Sequence, residues 1–245
     1  VEAWAISRGY DYKGDNPLFS FVPDWYREKA GPHITVVADL ARLNMAQHFL
    51  EQGYDRAIWL DADVVIFEPD QFQPDLSQPF LVCREIWLDT DPDVNFGEGP
   101  LHCHKKVTNS LTMFPTGCEF LEYYIEQCLS MVRDAQGTVP RLSVGTHLLT
   151  QLSKTQKLPL FQQLGLFSPI LMQGIIKSIP EVLELYATAM ESPVYAANLC
   201  LSFRGKQHKG LDVSDAFFEE TVTCLLQNHG AELNQHFTQR NNLSD

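Results

Sequence analysis

Two carboxylates one residue apart, Asp61 and Asp63, interrupt an apolar run. Ala57, Ile58, Trp59 and Leu60 precede them and Val64, Val65, Ile66 and Phe67 follow. Burying an unpaired charge is costly, so this placement needs a physical reason. Residues one apart on an extended chain point to opposite faces. A turn at Ala62 would bring both carboxylates to one site and expose them, and alanine is small enough to let a ligand approach closely. Two converging carboxylates repel each other unless a cation sits between them. Hard oxygen donors select Mg²⁺ or Mn²⁺, ions commonly held by one or two carboxylates plus substrate phosphates.

Other clusters are weaker. Asp89, Asp91 and Asp93 have the spacing that opens a calcium loop, but Val94 stands where glycine is needed and Pro100 where glutamate is needed, so the segment reads as a solvated acidic loop. His102, Cys103 and His104 read as a surface loop, because alternating side chains in a strand point apart. Arg204, Lys206, His208 and Lys209 surround Gly205 in the densest basic stretch of the chain, which suits a phosphate clamp.

The elements that must position these groups alternate. Strands are expected over 2–7, over "HITVVAD", over "RAIWLDAD", "PFLVCREIWL" and "KVTNSLTMFP", and over "PVYAANLCLSF". Helices are expected from Asp39, as cap, to Gln52, closed by Gly53; after Thr116, in a capping box with Glu119; from "VGTHLLTQLSK"; from Pro180; and from "DVSDAFFEETVTCLLQNHG". "RGKQHKG" reads as a loop. The alternation predicts one mixed α/β domain over 1–230 and a polar tail over 231–245. With 18 Lys and Arg against 31 Asp and Glu, the chain of 245 residues carries a net charge of -13 at pH 7, which argues against nucleic acid and anionic lipid as partners. No apolar run reaches the ~18 residues of a membrane span, and the first residues do not read as a secretory signal. Six cysteines without a CxxC pair favour reduced thiols and the cytoplasm.

The stretch "ADLARLNMAQHFLEQGYDRAIWLDADVVIF" resembles the central motif of nucleotide-sugar glycosyltransferases with the GT-A fold, in particular glycosyltransferase family 8 and related mannosyltransferase and toxin-type families. A helix bearing Ala41-Arg42-Leu43, then an apolar strand, then D-x-D is the shared order. The resemblance implies a Rossmann-like mixed sheet flanked by helices. It places "AISRGY" at the nucleotide, with Ala5 and Ser7 beside it and Tyr10 stacked on the base. It implies contacts from Asp39 to base or ribose and from Arg42 to the donor, and sets Asn109 and Ser110 facing the sugar. Gly145, Thr146 and His147 correspond to a helix start at the sugar hydroxyls, where family 8 carries acidic residues. The family histidine that completes the metal site is absent. Ser202 occupies its place and Asn198 lies four residues earlier, so these join Asp61 and Asp63 as metal candidates. Arg204, Gly205 and Lys206 correspond to the diphosphate-binding stretch.

The implied activity is transfer of a hexosyl group from a nucleoside diphosphate sugar, UDP before GDP, with retention and with Mn²⁺ or Mg²⁺ assisting departure of the diphosphate. Asp61, Asp63, Asn109 and His147 are the catalytic candidates. The acceptor stays open among a glycan, a lipid-linked sugar, a protein side chain and a small molecule. Two other readings compete. One is a haloacid-dehalogenase-type phosphatase with Asp61 as nucleophile and Asp63 as general acid. The other is a non-catalytic nucleotide-sugar or glycan-binding module.

Overall fold

Helix α1 (Glu2–Ser7) opens the chain where a strand is expected. Six residues are too few for periodicity to separate helix from strand. Burial decides: Trp4 and Ala5 face inward, and the Trp4 indole donates to the Phe72 carbonyl at 3.1 Å. The protein is seen in a computed structural model that describes residues 1–242, with side-chain surroundings for 1–238.

After a 3₁₀ turn at Leu18–Phe21 and helix α2 (Asp24–Ala30), helix α3 runs from Ile34 to Glu51. It absorbs "HITVVAD", read from its β-branched residues as a strand. Val36, Val37, Leu40, Ala41 and Leu43 recur at helical spacing, and all five are buried. Asp39, expected to cap this helix, instead lies inside it and is buried. Gly53 follows the helix at φ +99°.

Strands β1 (Arg56–Leu60), β2 (Val64–Ile66), β3 (Leu81–Asp89) and β4 (His102–Pro115) come next. His102, Cys103 and His104 are the first residues of β4, not a loop; β3 pairs with them residue by residue, Asp89 opposite His102 and Trp87 opposite His104. Helix α4 (Glu119–Asp134) follows. Cys118 stands at its N-cap without a side-chain bond, and the expected box residue Thr116 donates to the Tyr54 carbonyl at 2.8 Å instead.

A π-helical turn at Ser143–His147 leads into α5 (Leu148–Thr155), then β5 (Leu160–Phe161), β6 (Leu164–Leu166), α6 (Pro169–Ile176), α7 (Pro180–Ala189) and β7 (Ala196–Asn198). After a 3₁₀ turn at Leu201–Phe203, the basic "loop" is a hairpin, β8 (Lys206–His208) with β9 (Leu211–Val213). Its turn holds Lys209 and Gly210 at positive φ. Helix α8 (Asp215–Asn228) is capped by the Ser214 hydroxyl. The expected polar tail forms helix α9 (Ala231–Asn242), which buries Leu233 and Phe237 in the core. Residues 243–245 lie outside the described residues.

The result is a mixed α/β chain. One sheet has the order β1-β4-β3-β5, with β1 and β3 antiparallel to β4 and β5 parallel to β3. A second sheet has the order β2-β7-β6, with both senses again present. One core packs α3 and α4 on the first sheet, a second gathers α6 to α9, and a third joins Trp4 to Leu111, Met113 and Ala196 between the two sheets. No helix among the described residues is long and apolar enough to cross a membrane.

Candidate functional site

The Asp61–Asp63 turn is where the chain leaves one sheet for the other. Asp61 N–H still donates to the Ser110 carbonyl at 3.0 Å, extending the β1–β4 ladder by one bond. Val64 N–H then closes the turn on the Asp61 carbonyl at 3.2 Å, and β2 starts in the second sheet. Ala62 is exposed, whereas both aspartates are partly buried.

Each carboxylate is held by a different part of the chain. Asp61 Oδ1 accepts from Arg42 Nη1 at 2.8 Å and from the Trp59 indole at 2.7 Å, while Oδ2 accepts from the Asn198 amide at 3.1 Å. Asp63 Oδ2 accepts the Leu201 N–H at 3.0 Å, and the Asp63 carbonyl accepts the Leu199 N–H at 3.1 Å. The segment after β7 therefore clasps the turn from outside the first sheet.

Behind the turn lies a buried polar cluster. Arg42 also donates to the Asn109 carbonyl at 3.0 Å, lies 3.4 Å from Asp39 Oδ1, and sits over the Trp59 ring at 5.2 Å. Asn109 Nδ2 donates to Asp39 at 2.9 Å and to the Tyr124 hydroxyl at 3.3 Å. Gly145 packs directly on Asp39: a Cβ there would lie 2.5 Å from Asp39 Oδ2. Thr146 donates to the Thr108 hydroxyl at 3.5 Å, and Thr108 lies 3.4 Å from Ser110. Asp39, Arg42, Asp61, Asp63, Asn109, Ser110, Gly145, Thr146 and Asn198 thus meet in one region.

The charges are tuned by burial. Burial pushes the Asp39 carboxyl up, with Arg42 and Asn109 pulling against it. Burial also raises Asp63, and the neighbouring Asp61 charge adds to the rise. Burial works against the Arg42 cation, but Asp61 and Asp39 together outweigh it, so Arg42 stays charged.

Other expected residues sit elsewhere. Ser202 is exposed and accepts from Arg141 at 3.2 Å. Arg204 forms a two-pronged pair with Asp215, so its charge is already neutralised, and Lys206 donates to the Ser202 carbonyl at 2.6 Å. Gly205 turns at φ +71°. His147 and Ser7 are exposed, and the Ser7 hydroxyl donates to the Trp4 carbonyl at 2.8 Å. Ala5 and Tyr10 line a cavity of about 770 Å³ that Arg42, Trp59, Asp61 and Ala62 also border. Trp59, Thr108 and Arg141 are the additions. Trp59 was discoverable, because two residues before Asp61 in a strand it points to the same side. No signal marks Arg141.

No group of three or more His, Cys, Asp or Glu side chains able to hold a metal ion lies among the described residues. The donor set is two carboxylates. Asp63 Oδ2 accepts the Leu201 N–H, and Asn198 turns its amide nitrogen, not its oxygen, toward Asp61, because its oxygen accepts the Cys200 N–H at 2.9 Å. Such a site fits a hard cation that takes most of its ligands from water and phosphate. Compared with known proteins, the chain matches no family model, no curated protein and no solved structure.

Proposed function

We propose that the protein is a GT-A-type glycosyltransferase that moves a hexosyl group from a nucleoside diphosphate sugar, UDP before GDP. The observation that carries this reading is the Asp61–Ala62–Asp63 turn, whose Asp61 and exposed Ala62 border a cavity of about 770 Å³ with aromatic walls from Tyr10 and Trp59. That volume lies within the range of small-molecule and cofactor sites, roughly 300–1,000 Å³. Tyr10 offers a face for a base. Asp63 and Asp61 would hold Mg²⁺ or Mn²⁺. When bound, that ion supplies charge neutralisation at a departing diphosphate. Arg42 fixes the orientation of Asp61 and keeps its charge balanced. Asn109 and Thr146 hold the floor of the site rigid, while Lys206 and Arg141 converge on Ser202 beside the Leu201–Asp63 contact and offer cations to a phosphate. The six unpaired cysteines support a cytoplasmic setting.

The phosphatase reading needs an Asp61 oxygen free to attack phosphorus. Arg42 and Trp59 both donate to Oδ1, and only Oδ2, which accepts from Asn198 alone, keeps capacity for a further ligand; that suffices for a metal ion, whereas a phosphatase Asp61 would need one oxygen for the ion and the other for attack. Thermal unfolding with UDP, GDP and their sugars, each with Mn²⁺ or with chelator, tests the proposal. A nucleotide- and metal-dependent rise in Tm is expected, because a ligand that binds only the folded state stabilises it. A flat response to the whole panel overturns it.

A further inference from the structure

The Asp61–Asp63 turn has two sides. Asp61 and Ala62 border the cavity of about 770 Å³, whereas Asp63 accepts the N–H of Leu201, the first residue of the 3₁₀ turn Leu201–Phe203. That 3₁₀ turn leads away to Trp87 of β3, whose ring lies 5.6 Å from the Phe203 ring and tilted to it by 30°. One face of the β3–β4 pair forms the floor. Cys83, Glu85 and Trp87 alternate along β3 on that face, and the ladder sets them opposite Thr108, Lys106 and His104. The Thr108 hydroxyl lies 3.4 Å from that of Ser110, and the Ser110 carbonyl accepts the Asp61 N–H. A strip of polar side chains therefore starts at the Asp61–Asp63 turn and ends at Trp87.

Glu85 sits in the middle of this strip and is 5 % exposed. The Lys106 ammonium stands 3.5 Å from its carboxylate. Burial raises the Glu85 carboxyl, with Lys106 pulling against the rise. Burial also raises the Cys200 thiol, and Asp63, Glu85 and Asp61 add to that rise, so Glu85 and the turn act on one neighbourhood. An apolar pair would serve packing here at least as well as a buried ion pair. A carboxylate takes about four hydrogen bonds, so Glu85 has capacity for donors from outside the chain. The strip opens on its β4 side, where His104 is exposed and Lys106 half-buried. The β8–β9 hairpin closes its far end: Lys209 donates to the Pro92 carbonyl at 2.8 Å, and the His208 ring lies 4.9 Å from Phe203.

We infer that this strip is the acceptor subsite and that the acceptor is a glycan, with a sugar ring laid on Trp87 and its hydroxyls bonded to Glu85 and Lys106. As an acceptor site it rests on the transferase reading above. The chemistry of the strip selects the class. A sugar ring has a C–H face for an aromatic side chain, and its hydroxyls both donate to a carboxylate and accept from an ammonium. An alkyl chain would cover Glu85 without giving it a donor, which is costly for a buried charge. Lys106 lies four residues before Ser110, roughly 13 Å along the strand. Glu85 and Lys106 therefore bind the acceptor away from the reacting atoms.

The test uses the whole chain and the methyl glycosides of glucose, galactose, mannose and N-acetylglucosamine, followed by saturation-transfer NMR with and without UDP and Mn²⁺. Saturable binding of at least one glycoside is expected. Glu85→Gln, which keeps the shape of the side chain, and Trp87→Ala are each expected to weaken it at least tenfold. Both variants should keep the parent's nucleotide- and Mn²⁺-dependent rise in Tm, which also shows that they fold. A flat nucleotide panel with glycoside binding lost in both variants would sink the donor reading and uphold the glycan site. Absence of binding by all four glycosides, or binding unchanged in both variants, overturns the inference whatever the nucleotide panel gives.

Discussion

Arg42 and Asp61 meet at 2.8 Å, Nη1 to Oδ1, and this single pair ties the middle of helix α3 to the end of strand β1. The same guanidinium reaches the Asn109 carbonyl on β4 and the Asp39 carboxylate one helical turn back. One cation therefore balances two carboxylates in a place where Arg42 is only 9 % exposed.

Removing it should be costly. Arg42→Met leaves Asp39 and Asp61 without their shared cation, and breaking a buried pair from one side costs about 3–5 kcal/mol. Urea unfolding measures this. Adding Asp39→Asn to the same chain should recover part of the loss, because the stranded charge goes with it.

The contribution of Asp39 and Asp63 to stability should fall as pH rises above the ordinary aspartate value of 3.8. Both hold their protons more tightly in the folded chain, so their contribution is complete below that value and is lost as pH climbs through the raised values. Asp63→Asn removes one such group while keeping an acceptor for the Leu201 N–H. Its Tm at pH 7 should exceed the parent's. The difference should close as the buffer is taken toward pH ~4.

The same substitution should separate stability from function. Any Mn²⁺-dependent rise in Tm given by a uridine or guanosine nucleotide should vanish in Asp63→Asn, although the protein itself is no less stable. Retention of the full metal-dependent rise would remove Asp63 from the site.

Gly145→Ala should destabilise the chain by about 1–3 kcal/mol, the usual cost of overpacking. The added methyl would lie 2.5 Å from an Asp39 oxygen that Asn109 and Arg42 hold in place. Denaturant midpoints report the loss. Ala substitution at the exposed Gly137, where a Cβ would meet nothing within 4 Å, serves as the control.

Leu233→Ala should cost about 2–5 kcal/mol, the range for a buried leucine. Leu233 is 2 % exposed, and the neighbouring Asn234 side chain bonds both the N–H and the carbonyl of Val194. A cost near zero by urea unfolding would show that α9 contributes little to the fold.

The sequence by itself determined the long elements and the turn. β3, β4, α4, α7 and α8 carry enough periodic residues for pattern to decide them, and an apolar run broken by Asp-Ala-Asp can only turn there, since burying two bare carboxylates costs too much. It also placed Asp39, Arg42, Asp61 and Asn109 among the site candidates. Tertiary structure decided the rest. "EAWAIS" and "HITVVAD" are short runs whose local preference is weak, and the burial of Trp4, Val36 and Val37 made them helical. Asp39 became a buried partner because Asn109, 70 residues away, comes within 2.9 Å of it. Asn198 met Asp61 across 137 residues, and Asp215 withdrew Arg204 from any phosphate. Such pairings depend on how sheets and helices are stacked, and local spacing holds no record of that.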